Sequence, residues 1–369
     1  MKMSLTIILN GVGGPGYDEN PAPIIDIVVE IPVPEPDAPI VIEDPVVIVD
    51  PVIPDTVPDP EPTVPDTAPE PDPEPEVPVV VIPDIEPEPD PVIPDDPTRT
   101  IHQLPVLTIN NPEMHVNFNE RSDGDYSSSQ ADNDFNFKWQ SFNALSSRIE
   151  NKRWAVTVPK DQIKKGIHAA KDLIGQSEYY FGYEIEFSEG YDLANNHGGK
   201  LPGMVGLNTA LKKSSGSQVY PDGCNDLGQR RDEGFSLRSM WRKDGRMIGY
   251  FYHEDNPEML PGGNNSCGHE VDYIHNGNAF YVQKGKKYFI ETRCKMNSKY
   301  ASDGIVQIWV NGFLVVSMTS MRLSHSLLYD INHMFIYFWH GGSSSTWEPS
   351  VDSKAYFDNF ILQRTPISH

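Results

Sequence analysis

Two segments with strand-like composition, Phe235–Arg242 and Met247–His253, flank the tripeptide Lys243–Gly245. A three-residue loop with glycine in the left-handed position predicts a β-hairpin in which Arg242 pairs with Arg246. In that register one face carries four polar side chains, Ser236, Arg238, Tyr250 and Tyr252. A guanidinium, a hydroxyl and two phenols can together bind an anion and exchange protons. The same residue types are also common on solvated sheet faces, so the pattern alone leaves both interpretations open.

The opposite face of this hairpin is apolar and should lie on the core. It carries Phe235, Leu237, Trp241 and Phe251. Upstream, Lys200 lies in the glycine-rich segment Gly198–Gly203, which we predict to be a loop. It is not a phosphate-binding loop, because the glycine spacing is wrong and no Ser or Thr follows the lysine.

Alternating apolar and polar residues predict the elements that must position this hairpin. Phe181, Tyr183, Ile185 and Phe187 alternate with glycine and glutamate, which is typical of a half-buried strand. The pair Asn311-Gly312 between Ile305–Val310 and Phe313–Met318 predicts a hairpin with a type I′ turn. Further strands are predicted at Ala279–Val282, Lys287–Arg293, His333–Trp339 and Lys354–Leu362.

Only Lys160–Ile174 has the pattern of a possible helix, and Gly166 weakens it. Many strands joined by short turns rich in Gly, Asn and Ser are typical of a β-sandwich or jelly roll. The predicted fold class is therefore all-β, a jelly-roll, concanavalin-like sandwich that follows an extended, proline-rich, acidic stalk.

Composition divides the chain into unequal parts. Residues 1–97 hold 25 of the 34 prolines and 23 acidic residues against one cation, Lys2, so their net charge is −22. The rest has 28 basic and 30 acidic residues and is nearly neutral. We predict an anchoring segment at 1–16, a stalk at 17–97 and one β-domain at 98–369. The strong negative charge argues against nucleic acid as a partner.

The stalk repeats fragments such as Asp50–Asp55, which recurs at Asp90–Asp95. Proline every two to four residues favours polyproline II, and like charges extend it further, so a spacer is favoured over a disordered linker. The apolar runs Ile24–Val29 and Val46–Val49 are able to pair as strands. The only apolar run near the start, Leu5–Leu9, is too short for a signal peptide or a membrane span, so we expect no membrane insertion.

Several motifs together resemble polysaccharide lyase family 14. They are Gly198–Gly203 (GGKLPG), Phe235–Arg242 (FSLRSMWR), Gly249–Tyr252 (GYFY) and Ile308–Gly312 (IWVNG). The resemblance covers about residues 179–362. It implies a jelly roll that cleaves alginate or polyglucuronate by β-elimination, with a catalytic set of Lys200, Ser236, Arg238, Tyr250 and Tyr252, four of which the hairpin register already places on one face.

The chemistry of that reaction requires such residues. Negative charge builds on the uronate carboxylate when the C5 proton leaves, so cations and hydrogen-bond donors must meet it. Arg238 and Lys200 supply charge and Ser236 a hydrogen bond. A tyrosine acts as general base and general acid; we favour Tyr250 with Tyr252 as its partner, and the sequence does not rank them.

Residues around this set are candidates for substrate binding: His197, His253 and Trp347. Trp339 can stack on a sugar or pack in the core. Cys267 and His269, with His275, form an incomplete zinc pattern, so we predict no metal and no cofactor. A disulfide between Cys224 and Cys267 is the favoured pairing, with Cys294 buried on a strand.

Three functions fit the sequence. The first is a lyase acting on an acidic polysaccharide, and the second is a lectin-like binding module without catalysis. The third is a structural appendage. A stalk without a recognisable signal peptide that ends in a glycan-cleaving domain suggests a depolymerase or fibre protein of a phage virion or other extracellular appendage. Residues 1–97 would then contact other virion proteins. The sequence does not decide whether the chain also forms homo-oligomers.

Overall fold

The computed structural model describes residues 3–7, 25–29, 99–142, 147–194, 197–215, 217–221, 231–255, 267–342 and 344–369. The chain divides into two units, Met1–Ile85 and Glu86–His369. In the first unit, Met3–Ile7 (β1) pairs antiparallel with Ile25–Val29 (β2). The run Ile24–Val29 was expected to be able to pair as a strand with Val46–Val49, and in the structure its partner is Met3–Ile7. Val46–Val49, most of the predicted stalk and most of the predicted anchoring segment lie outside the described residues.

The second unit contains a nine-stranded antiparallel sheet, which we call the large sheet. Its strands in spatial order are Phe313–Met321 (β18), Gly304–Val310 (β17), Lys287–Lys295 (β16), Glu178–Phe187 (β9), Ser353–Gln363 (β20), Arg153–Val158 (β7), Ser147–Glu150 (β6) and Gly124–Asp125 (β4), and Met114–Val116 (β3) also pairs with β20.

A seven-stranded antiparallel sheet, the small sheet, carries the predicted hairpin. Its strands in spatial order are His269–Asp272 (β13), Met247–Tyr252 (β12), Gly234–Trp241 (β11), Gly199–Leu207 (β10), Ile331–His340 (β19), Ile167–Gln176 (β8) and Lys138–Phe142 (β5). A two-stranded ribbon of Ile274–His275 (β14) and Asn278–Ala279 (β15) follows β13, and the one α-helix among the described residues is Ser128–Phe135 (α1).

The inward faces of the two sheets meet in one continuous core. Trp154, Tyr183 and Phe187 come from the large sheet, and Trp241 and Phe338 come from the small sheet; all are at most 1% exposed. Rings from the two sheets touch directly, since the centroids of Phe187 and Trp241 are 5.3 Å apart. The predicted all-β sandwich is confirmed.

Most strand predictions are confirmed, with changes in extent. The hairpin at Asn311-Gly312 forms with positive φ at both residues, 51° and 81°. The strand that contains Tyr183 is buried on both faces rather than on one, because Leu107 and Ile367 belong to a cluster with Tyr180 on its outer side. The strand predicted at Ala279–Val282 is reduced to the two residues of β15 and a single bridge.

The helix predicted at Lys160–Ile174 is wrong. This region contains β8, in which Ile167 and Ala169 face the core and His168 between them does not. Gly166 precedes the strand with φ 140°, a conformation that a helix cannot contain. The actual helix, α1, begins at a capping box formed by Ser127 and Gln130.

The side chain of Asn311 joins three parts of the sandwich. It accepts a hydrogen bond from the Phe289 amide at 2.6 Å, donates one to the Ile101 carbonyl at 2.8 Å, and is fully buried. We expect Asn311→Ala to lower the free energy of unfolding by about 2–4 kcal/mol, because it leaves both backbone groups unpaired and removes a residue suited to positive φ. Urea denaturation measures this loss.

The matched control is Thr319→Ala, on the exposed side of the same hairpin. Its effect should stay within about 0.5 kcal/mol. Equal effects of the two substitutions would contradict the role assigned to Asn311.

Candidate active site

The hairpin of β11 and β12 has the predicted register. Arg238 is the direct partner of Tyr250, and Ser236 is the direct partner of Tyr252. The loop closes with positive φ at Asp244 (60°) as well as Gly245 (83°). The four polar side chains therefore lie on the face of the small sheet that points away from the core, while Phe235, Leu237, Trp241 and Phe251 are fully buried beneath them, as predicted.

Lys200 lies on strand β10 and not in a loop, so that prediction is corrected. The glycines allow β10 to approach its neighbours, because a Cβ at Gly203 would lie 2.0 Å from the Leu237 carbonyl oxygen. A register shift between Lys200 and Gly203 then places Lys200 opposite Met240 on one side and Trp339 on the other. Lys200 thus joins the face that carries Arg238.

Arg238 is a buried cation held by uncharged groups. It is 9% exposed, and its Nη2 donates to Ser236 Oγ at 2.8 Å. Its Cζ lies 5.2 Å from the ring centroid of Tyr252, 5.4 Å from that of Phe335 and 5.6 Å from that of Tyr337. Nε has no hydrogen-bond partner, and within the described part of the chain no carboxylate pairs with the guanidinium. The arrangement is suited to an incoming anion.

Lys200 is a second cation without a carboxylate partner among the described residues. Its Nζ lies 3.9 Å from the ring centroid of Tyr250 and 3.2 Å from Met240 Sδ. Burial holds the pKa of its amine well below the usual range, the guanidinium groups of Arg238 and Arg242 lower it further, and Glu270 raises it. A bound carboxylate would reverse this shift by restoring the charged form.

The two tyrosines lie edge to face beside these cations. Their ring centroids are 5.5 Å apart; Tyr250 is 7% exposed and Tyr252 is half-buried. Gly268 fits closely against the ring of Tyr250, since a Cβ there would lie 2.3 Å from it. The site therefore combines two cations, a hydroxyl and two phenols on one surface.

Arg242 connects this surface to two of the predicted substrate-binding residues. It donates to the backbone carbonyl of His197 at 3.1 Å and pairs with Glu270, and its Cζ lies 5.6 Å from the ring centroid of Trp347. His197 and Trp347 stack at 4.7 Å. Both half-buried rings thus lie at the end of the site nearest Lys200. Sequence reasoning gave Arg242 no role in the site.

His253, the third predicted substrate-binding residue, is 3% exposed. Its Nε2 lies 3.0 Å from Nδ1 of His269, whose pKa is lowered by burial. His253 directly follows Tyr252 at the end of β12 and His269 begins the neighbouring strand β13, so the pair supports that end of the hairpin. Direct contact of His253 with substrate stays a prediction.

Sequence reasoning missed His168, which β8 brings to the same face. Its ring lies 4.2 Å from that of Tyr337. The pKa of His168 is lowered to about 4, mainly by burial and further by the charges of Arg238 and Lys164. The imidazole is therefore neutral at neutral pH. No signal could identify it while its segment was interpreted as a helix. Trp339 also faces this side, is 9% exposed, and has an Nε1 without a partner.

The cysteines bear on the metal and disulfide predictions. Cys267 is disulfide-bonded, so it does not supply a zinc thiolate, and Cys294 is free and buried on β16 as predicted. Cys224 lies outside the described residues, and its pairing stays a prediction. Within the described ranges, no group of three or more His, Cys, Asp or Glu is placed to hold a metal ion, and no helix is long and apolar enough to cross a membrane.

Fold and site define a β-sandwich with cationic, hydroxyl and phenolic side chains on the outer face of its small sheet, and comparison with known proteins gives the family. A family model described as polysaccharide lyase 14 matches residues 144–360, more than half of the chain. The chain therefore belongs to polysaccharide lyase family 14. The search of curated proteins found no match.

Solved structures of alginate lyases are similar to this chain. The alginate lyase Aly36B is 25% identical with a TM-score of 0.56, and the match covers 72% of this chain and 100% of that enzyme. A substituted variant of that enzyme in complex with an alginate trisaccharide gives the same values. The marine PL-14 alginate lyase from Aplysia kurodai is 20% identical with a TM-score of 0.49, over 66% of this chain and 97% of that one.

The desolvated amine of Lys200 should lower stability in the free protein. We expect Lys200→Met to raise the free energy of unfolding, because methionine keeps the apolar length and removes a charge that burial and two guanidinium groups disfavour. Since its folded-state pKa is lowered, the folded protein binds fewer protons than the unfolded chain between that pKa and the ordinary value of 10.5. The stability of the wild type therefore rises with pH through this window. The stabilisation gained by Lys200→Met shrinks over the same range, because the wild-type amine becomes neutral.

Urea denaturation at several pH values measures this difference. Lys212→Met, at an exposed lysine, serves as the control and should change little. The interpretation is wrong if Lys200→Met destabilises the protein more than Lys212→Met does.

Proposed function

We propose that this protein cleaves a uronate-containing polysaccharide by β-elimination at the face formed by Lys200, Ser236, Arg238, Tyr250 and Tyr252. The observation that carries the proposal is the pair of cations, Lys200 and Arg238, that lie partly or fully buried beside two phenols without a carboxylate partner in the described part of the chain. Membership of polysaccharide lyase family 14 supports it.

The first role of the site is to neutralise the uronate carboxylate. Arg238 offers a planar pair of N–H donors and is held in place by Ser236 and three aromatic rings. Lys200 adds a second charge from the neighbouring strand. Because the C5 proton of a uronate becomes acidic only as its carboxylate accepts negative charge, these groups stabilise the enolate-like transition state.

The second role is proton transfer. The C5–H bond breaks and its proton passes to a base, its electrons form the C4–C5 double bond, and the C4–O bond breaks as the leaving oxygen takes up a proton. Tyr250 is the proposed base or acid, and Tyr252 is its partner. Their rings lie 5.5 Å apart, so both can reach one sugar unit.

Alginate is the first substrate to test, because Aly36B is an alginate lyase at 25% identity and a variant of it holds an alginate trisaccharide. Polyglucuronate and bacterial capsules share the chemistry that the site would recognise, a carboxylate next to an acidic C–H bond.

Elimination creates an unsaturated uronate that absorbs in the ultraviolet, and this product tests the proposal. Wild type should produce it, and Tyr250→Phe and Arg238→Lys should each lower kcat by about 10²-fold or more, because proton transfer and bidentate charge stabilisation act in the transition state. The control is Tyr281→Phe, at a tyrosine that is 46% exposed. It should leave the rate unchanged.

A non-catalytic binding module predicts a different result from the same preparations. Wild type would then bind alginate without product, and Tyr250→Phe would bind equally well. That outcome would reject the lyase and favour the lectin-like function.

We also propose that residues 1–97 attach the enzyme to a virion or other extracellular appendage. Their prolines and net charge of −22 support a role in attachment rather than in catalysis. Sedimentation of purified particles followed by immunodetection tests it. The protein should sediment with the particles, and its recovery only in the particle-free fraction would exclude this arrangement.

A further inference from the structure

A depression opens on the same face of the small sheet as Arg238, beside the proposed catalytic set. Its volume is about 610 Å³. Asp172 on β8 and His333 on β19 form one side, and residues that follow β10, among them Lys212, Gln218 and Tyr220, form the other. None of these residues belongs to the set assigned to catalysis.

The depression continues the surface that holds the two cations. Val205 is the direct partner of both Ser236 and His333, so these two lie in one row across the sheet, two strand spacings or about 10 Å apart. The ring of Tyr220 lies 5.5 Å from that of Phe335, which itself contacts Arg238. The distance between Ser236 and His333 is longer than one hexuronate ring. A sugar bound at Arg238 would therefore place a neighbouring unit of the same chain in the depression.

Its chemistry suits an acidic sugar. Lys212 is exposed, its Nζ lies 2.6 Å from Gln218 Oε1, and no carboxylate of the described residues pairs with it. Tyr220 is half-buried with its ring beside that of His333, centroids 6.3 Å apart. His333 Nε2 lies 2.6 Å from Asp172 Oδ1, which fixes a polar pair suited to hydroxyl groups.

We propose that this depression is a binding subsite for a second uronate unit, distant from the bond that is cleaved. Lys212 meets the carboxylate of that unit, Tyr220 packs against its ring, and His333 with Asp172 binds its hydroxyls. The inference rests on the proposed function and deepens it. A chain bound in this way extends from the stacked rings of His197 and Trp347, past Arg238, to Tyr220.

The subsite should make the enzyme depend on chain length. An oligosaccharide long enough to reach Lys212 gains this contact, whereas a short one that covers only Arg238 and its neighbours does not. The contact should lower KM and leave kcat unchanged, because it is the same in the bound substrate and in the transition state.

The test compares an alginate trisaccharide with an octasaccharide as substrates of the full chain. Lys212→Ala should raise KM for the octasaccharide by about tenfold without changing kcat, and should leave both constants for the trisaccharide unchanged. Lys212→Arg should retain most of the wild-type KM because it keeps the charge. Lys213→Ala is the matched control, since Lys213 is also exposed but does not line the depression.

Two results would overturn the subsite: equal effects of Lys212→Ala on both substrates, or equal effects of Lys212→Ala and Lys213→Ala. Failure of the proposed function is a separate result, in which wild type yields no unsaturated product from any uronate polymer. Calorimetric titration with the octasaccharide then decides the subsite alone. Weaker binding by Lys212→Ala than by Lys213→Ala supports it, and equal binding rejects it.

Discussion

The site depends on a buried guanidinium for which the described part of the chain offers no counter-charge. Arg238 is held by one hydroxyl and three aromatic rings, and its Nε has no partner. Removing a cation from water in this way opposes folding. The aromatic core between the sheets offsets that cost, and a bound carboxylate would supply the missing charge. In the function that we propose, the feature that weakens the free protein also gives it affinity for an acidic chain.

Close packing of strands keeps the cations in place. Gly203 lets β10 lie against Leu237 and Arg238, and the register shift beside it turns Lys200 towards Tyr250. Strand β19, on the other side of β10, supplies two of the three rings around the guanidinium, Phe335 and Tyr337. Charges are thus fixed before substrate arrives, as electrostatic stabilisation of a transition state requires.

Local sequence rules predicted part of this arrangement. The turn residues and the alternation of side chains between the two faces of a strand were enough to place Arg238 opposite Tyr250, because a three-residue loop fixes the register of its own hairpin. They did not predict that Lys200 lies on a strand, since a bulge next to glycines depends on the neighbouring strands. His168 was missed because its segment was interpreted as a helix, and Phe335 because strand order across a sheet is not a local property.

The most direct test of the central claim is to compare, by calorimetry and in the slowly cleaving Tyr250→Phe variant, binding of an alginate oligosaccharide with that of its carboxyl-reduced, uncharged counterpart. We predict that this variant binds the acidic form at least about a hundredfold more tightly, and that adding Arg238→Met removes most of this difference. Equal affinity of Tyr250→Phe for the two forms would contradict the claim that the buried cations on the small sheet recognise a uronate carboxylate.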